Sequence, residues 1–230
     1  LLQKHHVLSH AAGIGNPVSS RISRFVILIK LLTLRSGRTG ISLPTVERIT
    51  DLWNLGAIPV IPEKGTVGAS GDLAPLAHMS LPLLGMGAIH LDGVIVSADV
   101  LQERFGLEPV ALKAKEGLAL TNGIQYVAAR AVDSVLRLSE LAELCDIVAG
   151  LSAQAFSASD TFSDPLYHTT TEHQDRRIVA KNVMAIMTGT NAHTLPTASR
   201  AKQDPYSFRC IPQVHGAARQ LIQFCYSTIE

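Results

Sequence analysis

The sequence predicts a mainly α-helical protein, and three observations carry the prediction. Apolar residues recur at helical spacing in several windows, residues 125–159 form a long run of Ala, Leu and Val with a single glycine, Gly150, and one short stretch alone carries a hairpin signal. At 230 residues and 47% hydrophobic content, the chain is long enough for one large core or two smaller ones. It contains no repeat, low-complexity segment or flexible linker.

Residues 1–15 (LLQKHHVLSHAAGIG) read as a short helix ending in small residues. Ser19 or Ser20 then caps a helix through about Arg35, on which Ile22, Phe25, Val26, Ile29 and Leu32 recur at helical spacing. Gly37 and Gly40 end it. Residues 44–55 repeat the logic, with Ser42 and Pro44 at the start, Val46, Ile49, Leu52 and Trp53 on one side, and Gly56 after the last turn. Residues 58–62 (IPVIP) are extended, because each proline disfavours a helical residue before it. From Asp72 a buried helix follows, with Pro75 tolerated in its first turn and the acid beside its positive end. Residues 88–96 place Asp92-Gly93 between apolar runs, the signal of a hairpin and the only sheet expected. A short helix is expected over residues 97–105, one long helix or two in line over 125–159, and further helices over 172–187 and 216–230.

Composition excludes several functions. A net charge of +1 with acids and bases interspersed leaves no basic face for nucleic acid and no polybasic patch for a membrane. The longest apolar run, residues 25–34, is broken by Lys30 and is too short to span a bilayer, and no signal peptide is visible. Cys145, Cys210 and Cys225 lie far apart with no CxxC spacing, which indicates neither zinc site nor disulfide framework and fits a reducing cytoplasm. His5, His6 and His10 invite a metal reading, but no Glu follows His6 as HExxH requires and no third ligand is evident. His78, on the apolar helix, reads as a satisfied core histidine.

Between the extended segment and that helix lie Gly65, Gly68, Ala69, Ser70, Gly71 and Asp72. Glycines this dense permit turns that a side chain forbids. An Ala-Ser-Gly tripeptide is by default a tight turn. A phosphate cradle and a nucleophilic serine are set aside, since the lysine and hydroxyl of a P-loop and the Gly-x-Ser-x-Gly elbow are both absent. A further possibility is that the chain reacts with itself: the amide nitrogen of Gly71 attacks the carbonyl carbon of Ala69 and closes a five-membered ring. Loss of water from that ring and from Ser70 leaves an exocyclic methylene conjugated to an imidazolone. Glycine leaves the nitrogen unhindered, alanine leaves room at the attacked carbonyl, and serine supplies the leaving hydroxyl.

The whole run of residues 65–85 (GTVGASGDLAPLAHMSLPLLG) resembles the signature of the aromatic amino acid ammonia-lyases, which make this ring, 4-methylidene-imidazol-5-one (MIO), autocatalytically from Ala-Ser-Gly. Residues 116–125 (EGLALTNGIQ) and 203–217 (QDPYSFRCIPQVHGA) agree with it. The resemblance implies the long-helix bundle of the ammonia-lyase/fumarase-like fold, MIO formed from Ala69, Ser70 and Gly71, no metal, and a cytoplasmic homotetramer in the full-length protein. Family members are considerably longer, and this chain opens at Leu1 without a methionine and stops at Glu230 within a helical pattern. An internal fragment is therefore expected, residues 1–120 being the C-terminal part of the MIO-bearing domain and 121–230 the start of the central helical bundle.

By itself, Asn122 with Gly123 and Gln125 reads as a helix N-cap with a polar neighbour. The resemblance sets this element against the MIO group, with Asn122 hydrogen-bonding the ring or substrate and Gln125 and Asp72 supporting it. Ile124 stands where the family usually has threonine, and Thr121 where it usually has an aliphatic residue. Tyr206 and Arg209 lie three apart and share a face of a helical turn, alone no more than a surface pair. The resemblance gives Arg209 the substrate carboxylate, which a planar guanidinium binds bidentately, Tyr206 a place near the amine and ring, and Gln203 a further substrate contact. Ser9-His10 resembles the pair in members that act on histidine, with His10 hydrogen-bonding an imidazole. The implied reaction is non-oxidative removal of ammonia from L-histidine to give trans-urocanate, its β-proton base falling upstream of Leu1. The alternatives are the same chemistry on tyrosine or phenylalanine, as lyase or aminomutase, and a helical structural module without turnover.

Overall fold

The protein's structure, a computed structural model, describes residues 1–189 and 203–230. It divides into two compact units, Leu1–Asp133 and Ser134–Glu230.

The first unit opens with α1 (Leu2–His10), β1 (Ile14–Pro17), α2 (Ser20–Leu34), α3 (Leu43–Asn54), β2 (Ile58–Pro59), β3 (Pro62–Lys64) and α4 (Leu73–Ser80). A hairpin of β4 (Ala88–Leu91) and β5 (Val94–Ser97) follows, then α5 (Val100–Phe105), α6 (Glu116–Thr121) and the start of α7 (Gln125–Phe156), inside which the division between the units falls. Local chemistry accounts for the ends of these elements. The Ser19 hydroxyl accepts from Ile22 N and starts α2, and Pro44 occupies the first turn of α3, where a missing N–H costs nothing. On α2 the buried face reads Ile22, Val26, Lys30, Leu34, every fourth residue, so a lysine sits within an apolar stripe.

α4 buries Ala74, Leu76, Ala77 and Met79 and packs into the same core as Ile27, Ile49 and Ile89. Leu76 is completely buried, and burial of a leucine side chain contributes about 1.5–3 kcal/mol. The helix that leaves the glycine-rich loop is thus anchored in the centre of the unit.

The sheet content differs from the expectation of a hairpin alone. The hairpin gains β2 as a third strand, in the order β2-β4-β5, and a separate two-stranded sheet pairs β1 with β3. β2 joins antiparallel with Ile58 opposite His90, and β1 lies antiparallel to β3 with Ile14 opposite Lys64. Strands of two to four residues carrying proline show no alternation to read, and proline is tolerated because each lies at a sheet edge.

The second unit holds the rest of α7, α8 (Pro165–His168), α9 (Gln174–Met187), α10 (Tyr206–Arg209) and α11 (Ile211–Ile229). Its core is formed by Ala153, Val179, Val183, Met187 and Ile211. A buried carboxylate ties three helices together: Asp146 on α7 accepts from Asn182 Nδ2 on α9 at 3.0 Å, and from His215 Nδ1 and Arg219 on α11 at 2.9 and 2.8 Å. α11 passes α9 so closely at Gly216 that a Cβ there would lie 2.7 Å from the Arg176 α-carbon. The architecture is mainly α-helical.

Candidate active site

Residues 65–72 link β3 to α4 and meet a second turn, Asn122-Gly123, where the chain leaves α6. The two turns approach backbone to backbone. Gly71 has φ +120° and Gly123 φ +144°, and a Cβ on Gly71 would stand 2.6 Å from the Gly123 oxygen. Asp72 N donates to that oxygen at 2.7 Å. Asn122 Nδ2 donates to the carbonyl oxygen of Ser70 at 2.9 Å. Ala69, Ser70 and Gly71 line a cavity of about 230 Å³, shared with Ser9 and His10 at the end of α1.

Both turns are held from behind. Asp72 occupies the N-cap position of α4, yet its side chain makes no bond to that helix. Its buried carboxylate accepts instead from Thr66 Oγ1 at 2.8 Å and from Val127 N, in the first turn of α7, at 2.9 Å. The acid expected to serve the helix it precedes therefore closes the glycine-rich loop and caps a different helix. Asn122, read alone as an N-cap, is the C-cap of α6 in extended conformation. That frees its side chain for Ser70. Gln125 Nε2 donates to Thr33 Oγ1 at 3.3 Å, while its buried Oε1 has no hydrogen-bond partner among the described residues and lies against the Gly123 backbone.

His10 Nδ1 donates to the carbonyl oxygen of His6 at 2.8 Å; a carbonyl can only accept, so neutral His10 carries its proton on Nδ1 and keeps Nε2 as an acceptor. The His6 ring lies 4.5 Å from that of His10 and donates through Nε2 to Thr121 Oγ1 at 3.0 Å, since the Thr121 hydroxyl is directed to Gly117 O at 2.9 Å. Burial, and then the neighbouring His10, holds the His6 pKa below its ordinary value. The threonine that departs from the aliphatic pattern is thus matched by a histidine. Ile124, the other departure, points largely into solvent. His78 Nε2 accepts from Gly13 N at 3.1 Å, and burial lowers its pKa.

Gln203, Tyr206 and Arg209 belong to the second unit. Gln203 and Tyr206 are exposed; the Arg209 guanidinium carbon lies 4.4 Å above the Tyr206 ring, a cation–π contact, and its buried Nε has no hydrogen-bond partner among the described residues. Among the described residues, no three His, Cys, Asp or Glu side chains are placed to hold a metal ion.

Lys30 was no candidate from the sequence. Its Nζ donates to Ala119 O at 2.6 Å and to Asn122 O at 3.3 Å, directly behind the Asn122-Gly123 turn. The signal was present as a lysine at a core position of the α2 stripe. Tyr126 is a second such residue, its hydroxyl donating at 3.2 Å to Glu63 O on β3 at the head of the loop.

The tripeptide geometry fits the MIO ring. In a ring closed between Gly71 N and Ala69 C, the Ser70 carbonyl becomes the ring carbonyl, and that oxygen already has a donor in Asn122. The Gly71–Gly123 approach leaves Gly71 no room for a side chain, and Gln125 Oε1, without a hydrogen-bond partner among the described residues, lies beside Gly123.

The sequence profile of aromatic amino acid lyases matches residues 1–230, the whole chain. The chain belongs to the aromatic amino acid lyase family. Among curated relatives, a histidine ammonia-lyase of Symbiobacterium thermophilum is 40% identical over 229 residues, covering 100% of this chain and 45% of the relative. Among solved structures, histidine ammonia-lyase from Trypanosoma cruzi superposes with a TM-score of 0.86 at 33% identity, over 99% of this chain and 42% of that one. A tyrosine aminomutase from Streptomyces globisporus gives a TM-score of 0.85 at 31% identity, over 96% and 45%. The chain thus has the helical fold of the ammonia-lyases and aminomutases, and spans a little under half the length of these aromatic amino acid lyases.

Proposed function

We propose that the protein carrying this chain is an ammonia-lyase that converts L-histidine to trans-urocanate and ammonia, with MIO formed from Ala69, Ser70 and Gly71. The observation that carries the reading is the Asn122 amide set on the Ser70 carbonyl, where the Gly71 and Gly123 backbones interlock. The chemical difficulty is that ammonia leaves poorly and the β-proton is weakly acidic. Once formed from Ala69, Ser70 and Gly71, MIO would supply the electrophilic methylene that makes the substrate amine a better leaving group. Asn122 draws electron density from the Ser70 oxygen, which is conjugated with that methylene. Gln125 and Asp72 hold the Asn122 turn and the loop in register. His10 offers its Nε2 acceptor to an imidazole N–H from the wall of the same cavity, which favours histidine.

In this reading Arg209 binds the substrate carboxylate through a guanidinium edge, Gln203 adds a substrate contact, and Tyr206 orients the amine and assists proton movement. The full-length protein is a cytoplasmic homotetramer. Leu141, Leu144 and Leu151 on α7 and Leu221 and Phe224 on α11 are all more than half exposed, an apolar surface suited to partner subunits.

A second reading, with tyrosine or phenylalanine as substrate, is favoured by the similarity to a tyrosine aminomutase. Incubating the full-length enzyme with each amino acid separates the two, because urocanate, coumarate and cinnamate differ in ultraviolet absorbance. Urocanate from L-histidine is expected; coumarate or cinnamate alone would replace the substrate and leave the chemistry standing.

A further inference from the structure

We infer that Lys30 is a positioning residue for ring closure: from the buried face of α2 it fixes the main chain at Ala119 and Asn122, and so holds the Asn122 amide and the Gly123 backbone against Ala69-Ser70-Gly71. The inference rests on the MIO-forming reading above and adds a residue to it.

Lys30 is 1% exposed and has no carboxylate partner among the described residues; its partners are two carbonyl oxygens. Burying an ammonium group without a counter-ion is costly, and burial lowers its pKa to about 8. The neighbouring stripe positions, Ile22, Val26 and Leu34, are filled by ordinary aliphatic residues, so packing alone gives no reason for a charge there.

The reason lies at the end of α6. A continuing helix would satisfy Ala119 O with the N–H of Gly123, four residues on. Instead the chain leaves the helix at Asn122 (φ −98°, ψ 133°), and Gly123 N turns toward Gly71. Lys30 Nζ takes the place of the missing donor at Ala119 O and also reaches Asn122 O, and a cation suits the negative end of a helix. The Asn122 side chain then meets Ser70 O, and Gly123 O accepts from Asp72 N.

Ring closure needs this placement because it is intramolecular and brings no other reagent. The Gly71 N–Ala69 C bond forms, and the Ala69 carbonyl oxygen leaves as water with the protons of Gly71 N and Ser70 N. The Ser70 hydroxyl then leaves as a second water with the Ser70 α-proton. Nothing is oxidised or reduced. A small displacement of the reacting nitrogen and carbon removes the advantage of proximity.

The test compares K30M, K30Q and E116Q in the full-length protein, reading the mass of the peptide that spans residues 69–71 together with the melting temperature of each folded variant. Glu116 anchors the opposite end of α6, accepting from Ser42 Oγ at 2.6 Å and Thr45 Oγ1 at 3.0 Å, so E116Q loosens the helix without touching the turn. Folded K30M is expected to show a fraction of dehydrated peptide at least tenfold below wild type, while E116Q melts lower and keeps its ring. Wild-type dehydration in folded K30M overturns the inference, and so does equal loss in E116Q, which would trace the effect to helix stability. If K30M does not fold, K30Q is read in the same way; failure of both to fold while E116Q folds makes Lys30 a core residue only. An undehydrated wild-type protein is a separate outcome, since it removes the MIO reading itself.

Discussion

The Gly123 backbone leaves Gly71 no space for a side chain, and this residue-scale fact has a direct consequence. In Gly71→Ala the new Cβ would lie 2.6 Å from a backbone oxygen, at a φ of +120° that alanine rarely adopts. The variant is expected to lose ring formation entirely, read as an unmodified peptide mass, and to be destabilised by about 1–3 kcal/mol or more. Asn122→Ala removes the donor from Ser70 O and is expected to lower kcat about 100- to 1,000-fold, the effect of losing one oxyanion-type donor, measured per molecule of dehydrated protein. Lys30 makes a pH prediction of a particular sign. Its pKa is about 8 in the folded protein and about 10.4 in an unfolded chain, so between those values the unfolded state binds more protons. Its contribution therefore rises as pH climbs through that window, by on the order of 3 kcal/mol in full. Urea midpoints of wild type and K30M at pH 7 and pH 9.5 should show the difference between the two proteins shifting in favour of wild type at the higher pH. Ala69-Ser70-Gly71 could be singled out in the sequence because the proposed ring closure would call for those residue types one by one. Lys30 and the true partners of Asp72 could not, because a buried lysine and a cap given to a distant helix depend on which segments meet in space.

At the scale of elements, periodicity and caps located the long helices well. The 32-residue helix Gln125–Phe156 and the capped Ser20–Leu34 follow from apolar spacing and from Ser19. The short pieces escaped for physical reasons. β1 and β3 carry prolines and too few residues to alternate, and six-residue α6 ends by turning its backbone toward another loop, so Asn122 looked like a beginning when it is an end. The second unit turns on one buried acid, Asp146, which bonds side chains of α9 and α11. Asp146→Ala would leave Arg219 without its charged partner and is expected to cost roughly 3–5 kcal/mol, measurable as a lower denaturant midpoint with little change in slope.

For the whole molecule, family membership rests on a match over all 230 residues, and the fold agrees with it. Substrate choice was the least legible property in the sequence, because in the proposed function it would turn on a few cavity residues such as His10, whose proton placement only the folded geometry specifies. The apolar faces left open on α7 and α11 predict that the full-length protein elutes as a tetramer; Leu144→Glu with Phe224→Glu should shift light-scattering mass toward smaller species. The central claim is that Ala69, Ser70 and Gly71 become an electrophile, and the most direct measurement is the mass of the peptide spanning them in the purified wild-type protein. A deficit of two waters is the predicted result. An unmodified mass would contradict the account, leaving the tripeptide a tight turn in a helical structural module.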